Sequence, residues 1–180
     1  MNEGLWDLRS WLLEHREEIA RRWRAGIRER EDRRGEDSDG ILGSFIQSLV
    51  LLLPASLGEG RDLGESVWHQ ATHLYGSLAL QRGLAAGEVV EELQLLRPVI
   101  IKLLLAEPPG DWAGRSVKRD LLALNKLVDA GVVRASVAYV DDLFFAHLQG
   151  SGVPGGLNEE VEQEIGRQLE AFRREIGDLG

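Results

Sequence analysis

The chain has 180 residues, 43% of them hydrophobic and 28% charged, which fits a single globular domain able to bury a real core. A formal charge of −9 argues against general affinity for nucleic acid, and the lack of cysteine excludes disulfides, thiolate metal centres and cysteine nucleophiles. No basic stretch followed by an apolar one opens the sequence and no apolar run is long enough to span a bilayer, so a cytoplasmic protein is expected.

Helical periodicity runs along the chain, with no period-2 pattern of a strand, and predicts an all-α bundle of about five to six helices. The first helix is expected over residues 5–33, with Leu8, Trp11, Leu12, Ile19, Trp23 and Ile27 on one face. Its Arg-rich stretch, residues 21–34, is interleaved with Glu29, Glu31 and Asp32 and reads as a solvated face. The sequence "GEDSDG" at 35–40 is a polar turn. A short helix then carries Ile41, Phe45, Leu49 and Leu52 to a stop at Pro54. A Gly-rich loop follows, and a third helix begins near Asp62 with Val67, Ala71, Leu74 and Leu78 in a 4-3-4 pattern.

The fourth helix carries Val89, Val90, Leu93, Leu96, Ile100, Leu103 and Leu104. Its apolar pattern continues through Pro98, so a kink is expected rather than a break. It is apolar around most of its circumference, as befits a central helix. "EPPGDWAG" stops it, and a long fifth helix runs from Arg115 to His147. These segments define a domain over residues 1–149. Residues 150–156, "GSGVPGG" with its preceding turn, form a flexible linker to a short C-terminal helix over 157–180. Asn158 is placed to cap that helix. Ile165, Leu169, Phe172, Ile176 and Leu179 repeat at coiled-coil spacing over about two heptads, too few to stand alone. The helix therefore packs on the bundle or pairs with a second copy.

Two histidines, His69 and His73, sit four apart on the third helix and could share one metal or haem. Glu65 is the one further ligand the same face offers, and the residues between the histidines exclude an HExxH site. No Glu-x-x-His pair supports a di-iron bundle. "DSDG" fails the calcium-loop register, and "GEGRDLG" has neither the spacing nor the preceding strand of a phosphate loop. No catalytic constellation emerges, so a non-enzyme without cofactor is expected. A haem- or metal-binding sensor using His69 or His73 is the alternative. Trp6, Trp11 and Trp23 cannot all fit one narrow stripe, which makes some of them candidates for a dimer or partner surface.

The segment "WHQATHLYGSLALQRGLAAGEVVEELQLLRPVIIKLLL", residues 68–105, resembles the N-terminal sensor domain of RsbT co-antagonist (RsbR/RsbRD-type) proteins of stressosomes. The likeness lies in Gln81-Arg82-Gly83, Glu88-Val89-Val90-Glu91 and Leu95-Leu96-Arg97, with Trp23 and the segment "LNKLVDAGVVRASVAYV" beside them. It implies a globin-like, dimeric, haem-free input module in signal transduction, coupled through a helix to a STAS or kinase domain. Within these 180 residues no such output domain follows, so the implied partner is a STAS, kinase or phosphatase protein acting in trans. The expected dimer surface is Trp6, Trp11, Leu121, Leu124 and Val128. The expected partner or self-contact is Ile165, Leu169, Phe172 and Ile176.

Overall fold

A computed structural model describes residues 8–31, 39–57, 61–109, 115–150, 152 and 156–177. Among them the chain is all-α, with helices α1 (Leu8–Glu14), α2 (Arg16–Glu31), α3 (Asp39–Ala55), α4 (Arg61–Gln81), α5 (Ala86–Gln94), α6 (Leu96–Ala106), α7 (Arg115–Leu148) and α8 (Glu159–Gly177). No helix is long and apolar enough to cross a membrane among the described residues.

The first predicted helix is two, α1 and α2, interrupted only at His15. There the amide of His15 donates to the Trp11 carbonyl, and the amide of Ile19 donates to His15. Pro98 kinks its helix as expected: α5 and α6 are separated by Leu95 alone, whose torsions stay helical. A proline at 98 cannot donate to the carbonyl four residues back, at Gln94, where α5 ends. Pro54 lies in the last turn of α3, which ends one residue later at Ala55.

The centre of the bundle is not where sequence hydrophobicity alone puts it. The residues at 96–106 form α6, which packs on α2, α5 and α7 at the edge of the bundle, with Ile101 and Leu105 exposed. The middle belongs to α3 and α4. Helix α3 touches α1, α2, α4 and α8, and α4 packs between α3, α7 and α8. Phe45, Leu49, Val67, Trp68, Tyr75 and Leu78 are there withdrawn from solvent.

The interface of α4 with α7 is the largest, and small residues set its closeness. A Cβ on Gly76 would overlap the carbonyl oxygen of Ala135. A Cβ on Gly131 would lie 2.9 Å from Trp68 Nε1 and 3.0 Å from Thr72 Cγ2. Trp68 Nε1 instead donates 2.9 Å to the Leu127 carbonyl, tying the two helices side chain to backbone. Two other indoles act the same way. Trp11 donates to the carbonyl of Glu107, the residue that ends α6, and Trp23 donates to that of Glu92 in α5.

The C-terminal helix is part of this core. The Asn158 side chain accepts from the Val161 amide at 2.9 Å, the expected cap. From there α8 runs across α3 and α4 and buries Ile165, Leu169 and Phe172. Of the linker, residues 151 and 153–155 lie outside the described residues, as does Leu179.

In an ordinary helix interior, glycine to alanine is worth about 1 kcal/mol of stabilisation. At Gly76 the overlap with Ala135 reverses the sign. Gly76→Ala is expected to cost about 2 kcal/mol or more in urea denaturation, whereas Gly87→Ala, with open space around it, is expected to be neutral or better.

Candidate functional site

The turn "QRGLA" after α4 is built around Gly83, whose φ of +74° belongs to glycine. The Leu84 amide donates to the Ala79 carbonyl and the Gly83 amide to Leu80, a Schellman closure of α4. The Glu88 carboxylate accepts from the Ala85 amide at 2.7 Å and starts α5. From α7, the Tyr139 hydroxyl donates to the Leu84 carbonyl at 2.6 Å and holds the turn against the bundle.

That turn directs Arg82 inward. Its Nη1 and Nη2 donate to Glu92 Oε2 and Oε1 at 2.8 and 3.0 Å, a two-pronged ion pair in which both side chains are only 1% exposed. The Tyr75 hydroxyl donates to the same Oε2 at 2.6 Å. Burial, with the Glu92 carboxylate close by, raises the Tyr75 phenol well above its ordinary range. Since Trp23 donates to the backbone carbonyl of Glu92, this one residue joins α2, α4 and α5. The network is sealed from solvent.

The surface feature is α7. At 100° per residue, Leu122, Val133, Val137, Val140, Phe144 and Leu148 fall within a sector of about 80°. All six are exposed, at 47% to 64%. Leu143 and Phe145 flank the row, also exposed, and the rings of Phe144 and Phe145 meet edge to face at 6.2 Å. The opposite face of the same helix carries Leu124, Leu127, Val128, Ala135 and Tyr139 into the core. Helix α7 is therefore apolar on two sides. At the near edge of the outward row, Arg97 of α6 pairs with Asp129. On the same row of α6, one and two turns on, stand the exposed Ile101 and Leu105.

The residues expected to form a dimer or partner surface lie elsewhere. Trp11, Leu124 and Val128 are buried within one chain, Leu121 is half-buried, and Trp6 lies outside the described residues. Ile165, Leu169 and Phe172 are buried against α3 and α4, with Ile176 half-buried at their edge. The cause is common to both sets: an apolar repeat looks the same in sequence whether it meets its own core or another molecule.

His69 and His73 share the outer side of α4. His73 is exposed, and His69 is half-buried in a groove of about 700 Å³ between the end of α3, α4 and α7. Glu65 lines that groove too, but so do Arg61, Arg119 and Lys126, whose charges disfavour a metal cation. Among the described residues no group of three or more His, Asp or Glu side chains is placed to hold a metal ion.

Compared with family models, curated proteins and solved structures, the chain has no match.

Two outcomes follow from the sealed network. Arg82→Leu strands the Glu92 carboxylate in the interior and is expected to cost about 3–5 kcal/mol in chemical denaturation. Replacing Glu92 by Met in that variant should recover part of the loss. The raised Tyr75 pKa sets a pH dependence. Folding favours the neutral phenol, so its contribution is full below about pH 10, the unfolded value, and is lost as pH rises beyond it. In a Tyr139→Phe background, which leaves Tyr75 as the one phenol, absorbance at 295 nm should rise only together with loss of helical ellipticity. Ionisation near pH 10 in the folded state would contradict the assignment.

Proposed function

We propose that this chain is a non-enzymatic regulatory module of the cytoplasm. In this reading it is a globin-like sensor domain of the RsbT co-antagonist type that its sequence resembles. It works as a homodimer and relays signals to a STAS, kinase or phosphatase protein through protein–protein contacts. The observation that carries this reading is the outward face of α7. A helix already committed to the core on one side leaves Val133, Val137, Val140, Phe144 and Leu148 in a row on the other, in a chain of net charge −9. From Val133 to Leu148 the row runs for about 22 Å, and the exposed Lys126 stands in the same sector between it and Leu122. Between Val133 and Phe144 its 4-3-4 spacing is that of a left-handed helix–helix seam.

A twofold axis across this seam makes the contact self-complementary, each α7 covering the other. Phe144, with Phe145 beside it, supplies the aromatic anchors that interfaces favour. The surface is distinct from the Trp11, Leu121, Leu124 and Val128 set, which the core already uses. A partner in trans reads the dimer through the charged flanks and the last turns of α7.

Sedimentation equilibrium tests this directly. The unaltered chain is expected to be a dimer at micromolar concentration. Val137→Glu combined with Phe144→Glu should weaken self-association by about a hundredfold with helical ellipticity unchanged, since both side chains are exposed in one chain. A monomeric unaltered chain, or a dimer indifferent to these changes, refutes the α7 interface.

A further inference from the structure

Exposed charges accompany the apolar row of α7. Lys126 stands within its sector, and Arg134 and Asp141 stand together on one flank of it. Among the described residues none of these three has a hydrogen bond or ion pair within the chain. Arg134 and Asp141 are two turns apart, so one lies about 10 Å beyond the other along the same flank. Leu148, 64% exposed, leans out of the row toward that flank as well.

The same flank borders the groove of about 700 Å³ between the end of α3, α4 and α7. Its apolar lining includes Leu57, Ala123 and Ala130, each open to solvent at least in part. Arg61, Arg119 and Lys126 stand around it against one carboxylate, that of Glu65. Among the described residues Arg61 and Arg119 meet only Asp62 and Asp120, their neighbours in the chain, in exposed pairs at 3.9 and 3.3 Å. The groove is thus an apolar seat with a positive rim, at the end of α7 opposite to Leu148.

We infer that two copies of α7 pack antiparallel, with the end of the partner's helix seated in this groove. This orientation rests on the α7 dimer proposed above. A twofold axis between antiparallel helices turns each flank toward its own counterpart, whereas in a parallel pair opposite flanks meet. With Val137 opposite the partner's Val140, Val133 meets the partner's Phe144, small against large. In that register Arg134 faces the partner's Asp141, and the axis repeats the contact as Asp141 with the partner's Arg134. The partner's Leu148 then falls beside Leu127 and Ala130, over the groove. The carbonyl end of its helix lies among Arg61, Arg119 and Lys126, where cations are favourable. A parallel pair has none of these matches. Each seam residue meets its own copy there, so Lys126 opposes Lys126 of the partner subunit. Arg134 is turned toward the flank of Asp129, a carboxylate already engaged by Arg97, and Asp141 stays unpaired. The groove is left uncovered.

Sedimentation equilibrium of charge-reversed full chains, alone and mixed, tests the orientation. Arg134→Glu alone and Asp141→Arg alone each oppose like charges twice across the axis, and each is expected to weaken self-association about tenfold or more. An equimolar mixture of the two should recover the dimer, because every pair across the axis is then of opposite sign. Ala123→Glu, which sets a carboxylate beside the carbonyl end of the partner's helix, should weaken association too. The chain has no cysteine, so Val133→Cys carries a single thiol. In the antiparallel pair the two copies of residue 133 stand about 16 Å apart along the seam, too far for a disulfide, while a parallel pair brings them together. Helical ellipticity should be unchanged in all these variants, whose positions are exposed in one chain. A mixture that fails to recover, association indifferent to Ala123→Glu, or ready disulfide formation by Val133→Cys overturns the antiparallel seat. Where Val137→Glu with Phe144→Glu still dissociates the chain, the α7 dimer itself survives that result. A monomeric unaltered chain overturns both.

Discussion

The carboxylate of Glu92 is the constraint around which the bundle is arranged. A charge at 1% exposure is tolerable only with its full complement of donors, and it receives two from Arg82 and one from Tyr75. Those donors come from α4 and the turn after it, so α5 can occupy one register against α4 and no other. The Glu92 backbone carbonyl takes the Trp23 indole, which extends the same requirement to α2. An apolar core of Leu, Val and Ala accepts small slips of one helix along another. A buried ion pair with fixed prongs does not.

The second constraint is backbone proximity. Gly76 against Ala135, and Gly131 beneath Trp68, bring α4 and α7 nearer than ordinary side chains permit, and the Trp68 indole bond to Leu127 fixes the rotation of α7 about its axis. Rotation decides which residues remain outside. With Leu124, Val128 and Ala135 turned inward, the 4-3-4 row from Val133 to Phe144 can only face away. The exposed apolar stripe is thus a consequence of the α4–α7 contact, in which polar anchors and glycines fix the face that the apolar residues alone leave open.

Most helices were legible in the sequence because their periodicity is strong. The Asn158 cap, the kink at Pro98 and the turn at Gly83 each announce themselves through one residue with a narrow conformational role. Which face meets what was not legible, since both sides of α7 are apolar and a repeat carries no label for core or solvent. Helix α6 misled for the same reason: its apolar girth suggested a centre, yet Ile101 and Leu105 stand at the rim. Glu92 could have been found. It falls three residues after Val89 and four before Leu96, in the buried phase of its helix, and a charge in that phase requires a partner. Its neighbours Glu88 and Glu91 lie near the helix start, where negative charge is favourable on other grounds, and Glu88 there accepts from the Ala85 amide. Arg82, ten residues earlier across a turn, had no signal short of the fold itself.

These constraints also bear on how the outer face of α7 meets a partner. A surface helix held only by apolar contacts can shift to fit what binds it, and loses affinity to the cost of being ordered. Up to Tyr139, α7 is pinned by the Trp68 bond, the Gly76 contact and the Tyr139 bond to Leu84, so Val133 and Val137 are presented on a fixed support. Beyond Tyr139, Phe144, Phe145 and Leu148 stand outward, exposed, while Ala146 still turns inward and is buried. The seam is therefore borne on one continuous helix that keeps an inward-facing side from Leu124 to Ala146. Recognition is specified where the backbone is held, so a partner meets Val133 and Val137 in positions set by the core.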